Sequence, residues 1–257
     1  MTWTLITGAS GGIGEAIARE FARNDHSLIL TARSEDKLQT LAEELRAKHK
    51  IDVQVIACDL GAPEGVNQLL AECHRRALKP DILINNAGFA NYGPFHEIPI
   101  EQHLALIQLN IRALTELTYR LLPMMLARGS GKIVNIASTA AFVPGPLMAV
   151  YYASKAYVLS FSDAIAEEVT TTGVTVTCVC PGPTTSGFQK RADMAKSRLM
   201  QGKMMTSEEV ARATLIGTLD SDRLVIPGWQ NKMTVLMSRF APRALLAKVV
   251  LGAQEPV

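Results

Sequence analysis

The sequence predicts a doubly wound α/β fold, with a parallel sheet of about seven strands between two helical layers, on three observations. Seven short β-rich runs alternate with longer stretches of helical character. Several runs, residues 132–137 among them, are apolar almost without interruption, a pattern that implies burial on both faces of a sheet. A glycine-rich turn follows the first run and opens directly into a helical stretch.

Strands are expected at residues 3–7, 27–31, 52–57, 81–85, 132–137, 174–179 and 224–226. Helices are expected to begin near Ile13, Glu35, Pro63, Ile100, Tyr151 and Ser207, the fourth running from 100 to 128. No repeat, linker or low-complexity tract interrupts the alternation, so residues 1–257 are expected to form one domain. Residues 184–205, rich in Met and basic side chains, follow the sixth strand where such a sheet presents its ligand crevice, and read equally as a candidate substrate lid or as an ordinary surface excursion containing a helix. Residues 229–257 read as a helical C-terminal segment mixing Met, Leu and Val with Lys232, Arg239, Arg243 and Lys248, interrupted by Pro242. Charges recur there too often for a membrane span; an amphipathic surface helix docking on the domain, a dimer partner or a lipid surface fits the pattern, and docking on the domain or dimerisation is expected.

Hydrophobic residues make up 48% and charged residues 19% of the chain, with a net charge of +2. Such a balance gives no general pull towards nucleic acid or acidic membranes and favours a small-molecule partner. The N-terminal run lacks the basic region, long apolar core and cleavage site of a secretory signal, so a cytoplasmic location is expected. Cys58, Cys73, Cys178 and Cys180 lack paired metal-ligand spacing, and reduced thiols with no metal site are expected. Cys178 and Cys180, two apart in a strand, should face the same side.

The turn reads Thr7-Gly8-Ala9-Ser10-Gly11-Gly12-Ile13-Gly14. Its glycines let backbone turn tightly against a pyrophosphate, and the free amides and dipole of the following helix favour negative charge. The spacing differs from the general G-x-G-x-x-G fingerprint, and alone it is also compatible with a flexible turn. Arg33 ends the second strand. An acid there would bond the adenosine ribose, whereas a guanidinium accommodates a 2′-phosphate, so NADP(H) is expected over NAD(H).

Carbonyl reduction needs a proton on oxygen as well as a hydride on carbon. Tyr151 and Lys155 are four apart at the start of a helical stretch and share one face, so the lysine charge is expected to lower the tyrosine pKa. Tyr152 points roughly 100° away. Ser138 ends the fifth strand, thirteen residues before Tyr151, and Asn110 sits within a helical stretch that its propensity disfavours.

Gly8, Gly12 and Gly14, then Asn85-Asn86-Ala87-Gly88, Asn110, Ser138, Tyr151-Tyr152-Ala153-Ser154-Lys155 and Pro181-Gly182-Pro183, stand in one order along nearly the whole chain. In that order the chain resembles the short-chain dehydrogenase/reductase family. The resemblance implies a Rossmann-type fold and a catalytic set of Asn110, Ser138, Tyr151 and Lys155. It assigns the cofactor to Gly8, Ser10, Gly12, Ile13 and Gly14, with Asp59 and Leu60 at the adenine and Asn86, Ala87 and Gly88 near the ribose. Apart from the resemblance, Asp59 would read as a helix cap. Tyr151 and Lys155 would also border the cofactor, Lys155 on the ribose hydroxyls; Pro181 and Gly182 would lie beside the nicotinamide, and Ser186 takes the place of a threonine near the carboxamide. The basic residue that NADP users often carry inside the turn is Gly11 here. By the same resemblance a homodimer or homotetramer forms through helices 100–128 and 151–172. The implied activity is reversible NADP(H)-dependent oxidoreduction of a hydrophobic ketone or 3-oxoacyl-type substrate, walled by residues 89–95, 141–150 and the lid. A non-catalytic NADP(H) sensor on the same fold is the alternative, and loss of the serine, tyrosine or lysine would be its mark; all three are present.

Overall fold

A computed structural model describes residues 2–185 and 204–254. The strands are β1 (Trp3–Thr7), β2 (Ser27–Ala32), β3 (Val53–Ala57), β4 (Ile82–Asn85), β5 (Gly131–Ile136), β6 (Val174–Val179), β7 (Thr184–Thr185), β8 (Met205–Thr206) and β9 (Leu224–Val225). The helices are α1 (Gly12–Arg23), α2 (Glu35–Lys48), α3 (Gly65–Arg75), α4 (Ile100–Ile107), α5 (Leu114–Arg128), α6 (Ala149–Glu168), α7 (Ser207–Leu219), α8 (Trp229–Ser238) and α9 (Arg243–Gln254). All seven expected strands are present with ends shifted by a residue at most, while the helix expected from Pro63 begins at Gly65 and the one expected from Tyr151 begins at Ala149.

Seven strands form one parallel sheet in the order β3-β2-β1-β4-β5-β6-β9. Successive side chains of a strand point to opposite faces, so an unbroken apolar strand feeds two cores at once. Leu5 and Ile29 accordingly pack with α3, α5 and α6, whereas Ile6, Leu28 and Leu30 pack with α1, α2 and α7. From β1 the chain winds outward through β2 and β3, then returns to pair β4 against the other edge of β1. The direction of winding therefore reverses between β1 and β4, and loops there diverge to leave a crevice.

The stretch 100–128 is interrupted. A π-helical turn, Gln108–Ala113, separates α4 from α5. The C-terminal segment also divides where Pro242 was expected to interrupt it, into α8 and α9. Most of the candidate lid, 186–203, lies outside the described residues, but its flanks are joined by the pairing of β7 with β8. Thr206 and Glu209 then form a reciprocal capping box at the start of α7. The four cysteines are buried and unbridged, and Cys178 and Cys180 do face one side, with Sγ atoms 3.8 Å apart.

A polar network crosses the sheet centre. Asn135, fully buried in β5, accepts a bond from Asn85 Nδ2 at 2.9 Å and donates from its own Nδ2 to Ser162 Oγ at 2.9 Å. Asn85 Nδ2 also reaches Thr118 Oγ1 at 3.2 Å, so β4, β5, α5 and α6 are tied together. Removing one member leaves desolvated partners unpaired. Asn135→Ala is expected to lower stability by about 2 kcal/mol, read as a lower denaturant midpoint at unchanged slope.

Candidate active site

Gly8 has φ +67° and Gly12 φ +59°, conformations that carry the chain from β1 into α1 with little steric cost only at glycine. Gly14 is needed for space: a Cβ there would lie 2.3 Å from the Gly8 carbonyl oxygen. Gly11 caps α1 without a side-chain bond, which leaves the amides of the first turn available to an anion. Ser10 and Ile13 are half-buried in the same turn.

This turn is pinned by a residue the sequence reading did not single out. The buried Thr7 hydroxyl accepts from the Asn86 and Ala87 amides, both at 2.9 Å, and donates to the Ile84 carbonyl at 3.2 Å. Asn86 Nδ2 returns a bond to the Thr7 carbonyl at 2.9 Å. The glycine turn and the Asn86–Gly88 segment thus meet across the winding reversal. Threonine is common at strand ends, so only the pairing of β1 with β4 reveals this role.

Arg33 is exposed just beyond β2 and has no ion-pair or hydrogen-bond partner among the described residues. Asp59 is exposed beyond β3 and accepts from the Gly61 amide at 2.9 Å, whereas the N-cap of α3 is Glu64; the helix-cap reading of Asp59 is therefore not what the chain adopts. Leu60 is buried beside it. The glycine turn, Arg33, Asp59 and Asn86–Gly88 all lie beyond the C-terminal ends of their strands, along one edge of the sheet. An adenine dinucleotide fits this edge: a glycine-lined cradle that a Cβ would fill, an uncapped helix start and an unpaired guanidinium.

Further along the edge, Ser138 follows β5 and caps a 3₁₀ turn, Thr139–Phe142, accepting from the Ala140 amide at 3.1 Å. Its hydroxyl is 3.4 Å from the Pro181 carbonyl and hydrogen-bonds Tyr151. Lys155, one turn along α6 from Tyr151, donates to the Ile136 carbonyl at 2.8 Å, with Nζ 5.8 Å from the centre of the Tyr151 ring. Pro181 and Gly182 follow β6, and Asn231 of α8 lies so close that a Cβ on Gly182 would sit 2.3 Å from its Oδ1. Ser186 lies outside the described residues.

The π turn resolves the odd placement of Asn110. Its extra residue per turn aims a buried amide at the loop after β4, where Oδ1 accepts from the Phe89 amide at 3.1 Å and Nδ2 donates to the Phe89 carbonyl at 3.0 Å. Nδ2 also reaches Ser154 Oγ at 3.2 Å, and Ser154 donates to the Tyr151 carbonyl at 2.7 Å. A Cβ on Gly88 would stand 3.0 Å from Asn110 Oδ1 and 3.8 Å from Lys155 Nζ, so this glycine keeps a gap open between the two side chains.

Burial governs the charges here. It pulls the Lys155 ammonium down to about 8. It also pushes the Tyr151 phenol well above its ordinary value, and the Ser138 hydrogen bond opposes that rise without cancelling it. The expected lowering of Tyr151 by Lys155 is thus not found: desolvation raises the phenol, and the ammonium is turned to the Ile136 carbonyl. Tyr152 faces away. Its hydroxyl accepts from Gln254 Nε2 at 2.6 Å, and the Gln254 carbonyl accepts from Tyr92, so the end of α9 is fastened beside the site. That contact joins residues 102 apart, and no local pattern signals it.

Beside Tyr151 opens a small cleft walled by Phe95, His103, Leu106, Leu147 and Met148. His103, also missed in the sequence, is buried, stacks on Phe95 and hydrogen-bonds the Phe95 carbonyl through Nε2 at 3.1 Å. No group of three or more His, Cys, Asp or Glu side chains capable of holding a metal occurs among the described residues.

Comparison with known proteins accords with this geometry. The family model for short chain dehydrogenases matches residues 2–197. A very-long-chain 3-oxoacyl-CoA reductase of Danio rerio is 29% identical over 260 residues, covering 97% of this chain and 79% of that protein. Of the human and Pyrenophora tritici-repentis proteins of that name, the chain spans just over half the length, 58% and 57%. A short-chain dehydrogenase from Sphingobium yanoikuyae, solved with NADPH, superposes with a TM-score of 0.84 at 33% identity over 93% of this chain and 94% of that one. A bulky-bulky ketone specific alcohol dehydrogenase from Comamonas testosteroni gives 0.79 at 30% identity, covering 93% and 92%. The chain belongs to the short-chain dehydrogenase family, oxidoreductases that use NAD(P)(H) on alcohol and carbonyl groups.

Proposed function

We propose that this protein transfers hydride between NADP(H) and a bulky apolar ketone or secondary alcohol, 3-oxoacyl thioesters included, with Tyr151 as its proton donor. The observation that carries the reading is the convergence of Ser138 and Lys155 on Tyr151, which itself borders the small cleft walled by Phe95, Leu106, Leu147 and Met148. Similarity to reductases of 3-oxoacyl groups and to a ketone-specific alcohol dehydrogenase supports the same substrate class.

The bound nicotinamide supplies the hydride, or accepts it in the reverse direction. Ser138 donates a hydrogen bond to the substrate oxygen and sets its distance from Tyr151. The Tyr151 phenol, protonated at neutral pH as any phenol is and the more so for its burial, gives its proton to that oxygen as negative charge develops on it. Lys155 would hold the cofactor through its ribose hydroxyls, its ammonium standing 5.8 Å from the centre of the Tyr151 ring. Asn110 keeps one lone pair of Oδ1 unspent, and a water in the gap left by Gly88 would return a proton towards Lys155. Arg33, exposed and unpaired among the described residues, would hold the 2′-phosphate of NADP(H), and the glycine turn would hold the pyrophosphate.

A homodimer or homotetramer through α4, α5 and α6 belongs to this proposal. Leu104, Tyr119 and Tyr157 are exposed on those helices, Tyr119 to 74% of its surface, and the Thr115 and Tyr157 hydroxyls meet at 2.9 Å.

NADPH consumption against a panel of aryl, steroidal and 3-oxoacyl ketones tests the reading. Tyr151→Phe should abolish turnover and retain NADPH binding; turnover that survives would remove Tyr151 from the chemistry. Because Lys155 carries its charge only below about 8, kcat/KM for reduction is expected to level off below that pH and decline above it, whereas a rate rising through pH 8 would contradict the charge assignment. Arg33→Ala should weaken NADPH by about tenfold or more and leave NADH nearly unchanged, since a charge-assisted contact is worth roughly 1.5–3 kcal/mol. Equal losses for both cofactors would count against a phosphate contact.

A further inference from the structure

We infer that α8 and α9 form a surface that docks on an anionic lipid bilayer. In α8, Trp229, Met233, Leu236, Met237 and Phe240, the last just past its end, recur at the spacing of one helical face, and all five are exposed, Trp229 to 73% and Phe240 to 77% of their surface. The buried residue of this helix, Val235, lies on the other side, so the apolar stripe points away from the body. α9 repeats the arrangement. Val250 and Gln254 hold it against Tyr152, while Leu245 and Val249 are exposed on the opposite face, to 52% and 61%. Only the short Arg239–Pro242 turn separates the two helices.

Charge decides the occupant. From Trp229 to Gln254 the chain carries Lys232, Arg239, Arg243 and Lys248 and no acid. All four cations are exposed, and none has an ion-pair partner among the described residues, whereas Arg19, Arg23, Arg75 and Arg223 are each paired with a carboxylate. A second copy docked through this face would bring the four cations of each copy together across a twofold, against a single acid, Glu255, following the segment in sequence. An anionic bilayer satisfies both features, since apolar side chains enter the boundary of the acyl chains while lysine and arginine heads stay among the phosphates. No helix of the described residues is long and apolar enough to cross a membrane, so the attachment is at the interface. The net charge of +2 understates this attraction, because the excess of cations is local.

The test needs no substrate. The full-length protein is sedimented with phosphatidylcholine vesicles, with and without phosphatidylserine, while tryptophan emission is recorded. Binding should require phosphatidylserine, shift Trp229 emission to the blue and weaken strongly near about 1 M salt, where the Debye length is about 3 Å. Lys232→Gln with Lys248→Gln should reduce it by about fivefold per charge removed. Met237→Ser with Phe240→Ser should abolish it, with thermal unfolding of the lipid-free protein unchanged as the control for folding. Absence of vesicle binding, or binding indifferent to lipid charge, overturns the proposal. So does a Met237→Ser/Phe240→Ser protein that loses self-association instead, which would make this face a contact between copies.

Discussion

One hydroxyl sets the frame on which the site is built. Thr7 Oγ1 closes the crevice between β1 and β4 by taking two amides from the segment after β4 and giving its proton to the last turn of that strand. Without that acceptor the Ala87 amide would be left unpaired in a partly buried position, a cost of roughly 1–3 kcal/mol, while the Asn86 amide would keep only its longer bond to the Ile84 carbonyl at 3.1 Å. The positive-φ glycines supply freedom to turn; the hydroxyl selects one turn from those the glycines permit. Gly14 then brings α1 against the Gly8 carbonyl, so an uncapped helix start faces outward at the reversal.

The same economy organises the reacting end. Asn110 uses a π turn to clamp both backbone groups of Phe89 and, through Ser154, to hold the carbonyl of Tyr151. Lys155 is held by the Ile136 carbonyl, the last residue of β5, just ahead of Ser138. Each side chain is fixed by backbone from another element, which gives a rigid arrangement at the cost of burying a lysine and a tyrosine. Burial lowers one pKa and raises the other, and this conflict with stability is typical of a functional site.

The fold was legible because its signal is local and repeated. Unbroken apolar strands implied two covered faces, and Leu5 and Ile6 do feed opposite cores. The landmark residues were legible for a different reason, their order along the chain. What escaped depends on contacts distant in sequence. Thr7 gains its role from β4, Tyr152 is fastened by Gln254 and His103 stacks on Phe95, and none of these leaves a periodic trace. The helix 100–128 was read as continuous because its apolar spacing survives a π turn, even though the poor propensity of Asn110 marked the place where it breaks. The sign of the Tyr151 shift was missed because spacing reveals a neighbouring charge but not the burial of the phenol, which raises it.

The most direct measurement is cofactor affinity of Thr7→Val, a change that keeps the shape of the side chain and removes its oxygen. If the hydroxyl holds the turn, NADPH binding measured calorimetrically should weaken by about tenfold or more, with kcat at saturating cofactor largely retained. Unchanged affinity in a protein of unchanged stability would mean that the glycine turn is set without Thr7, and the account of the crevice would be wrong.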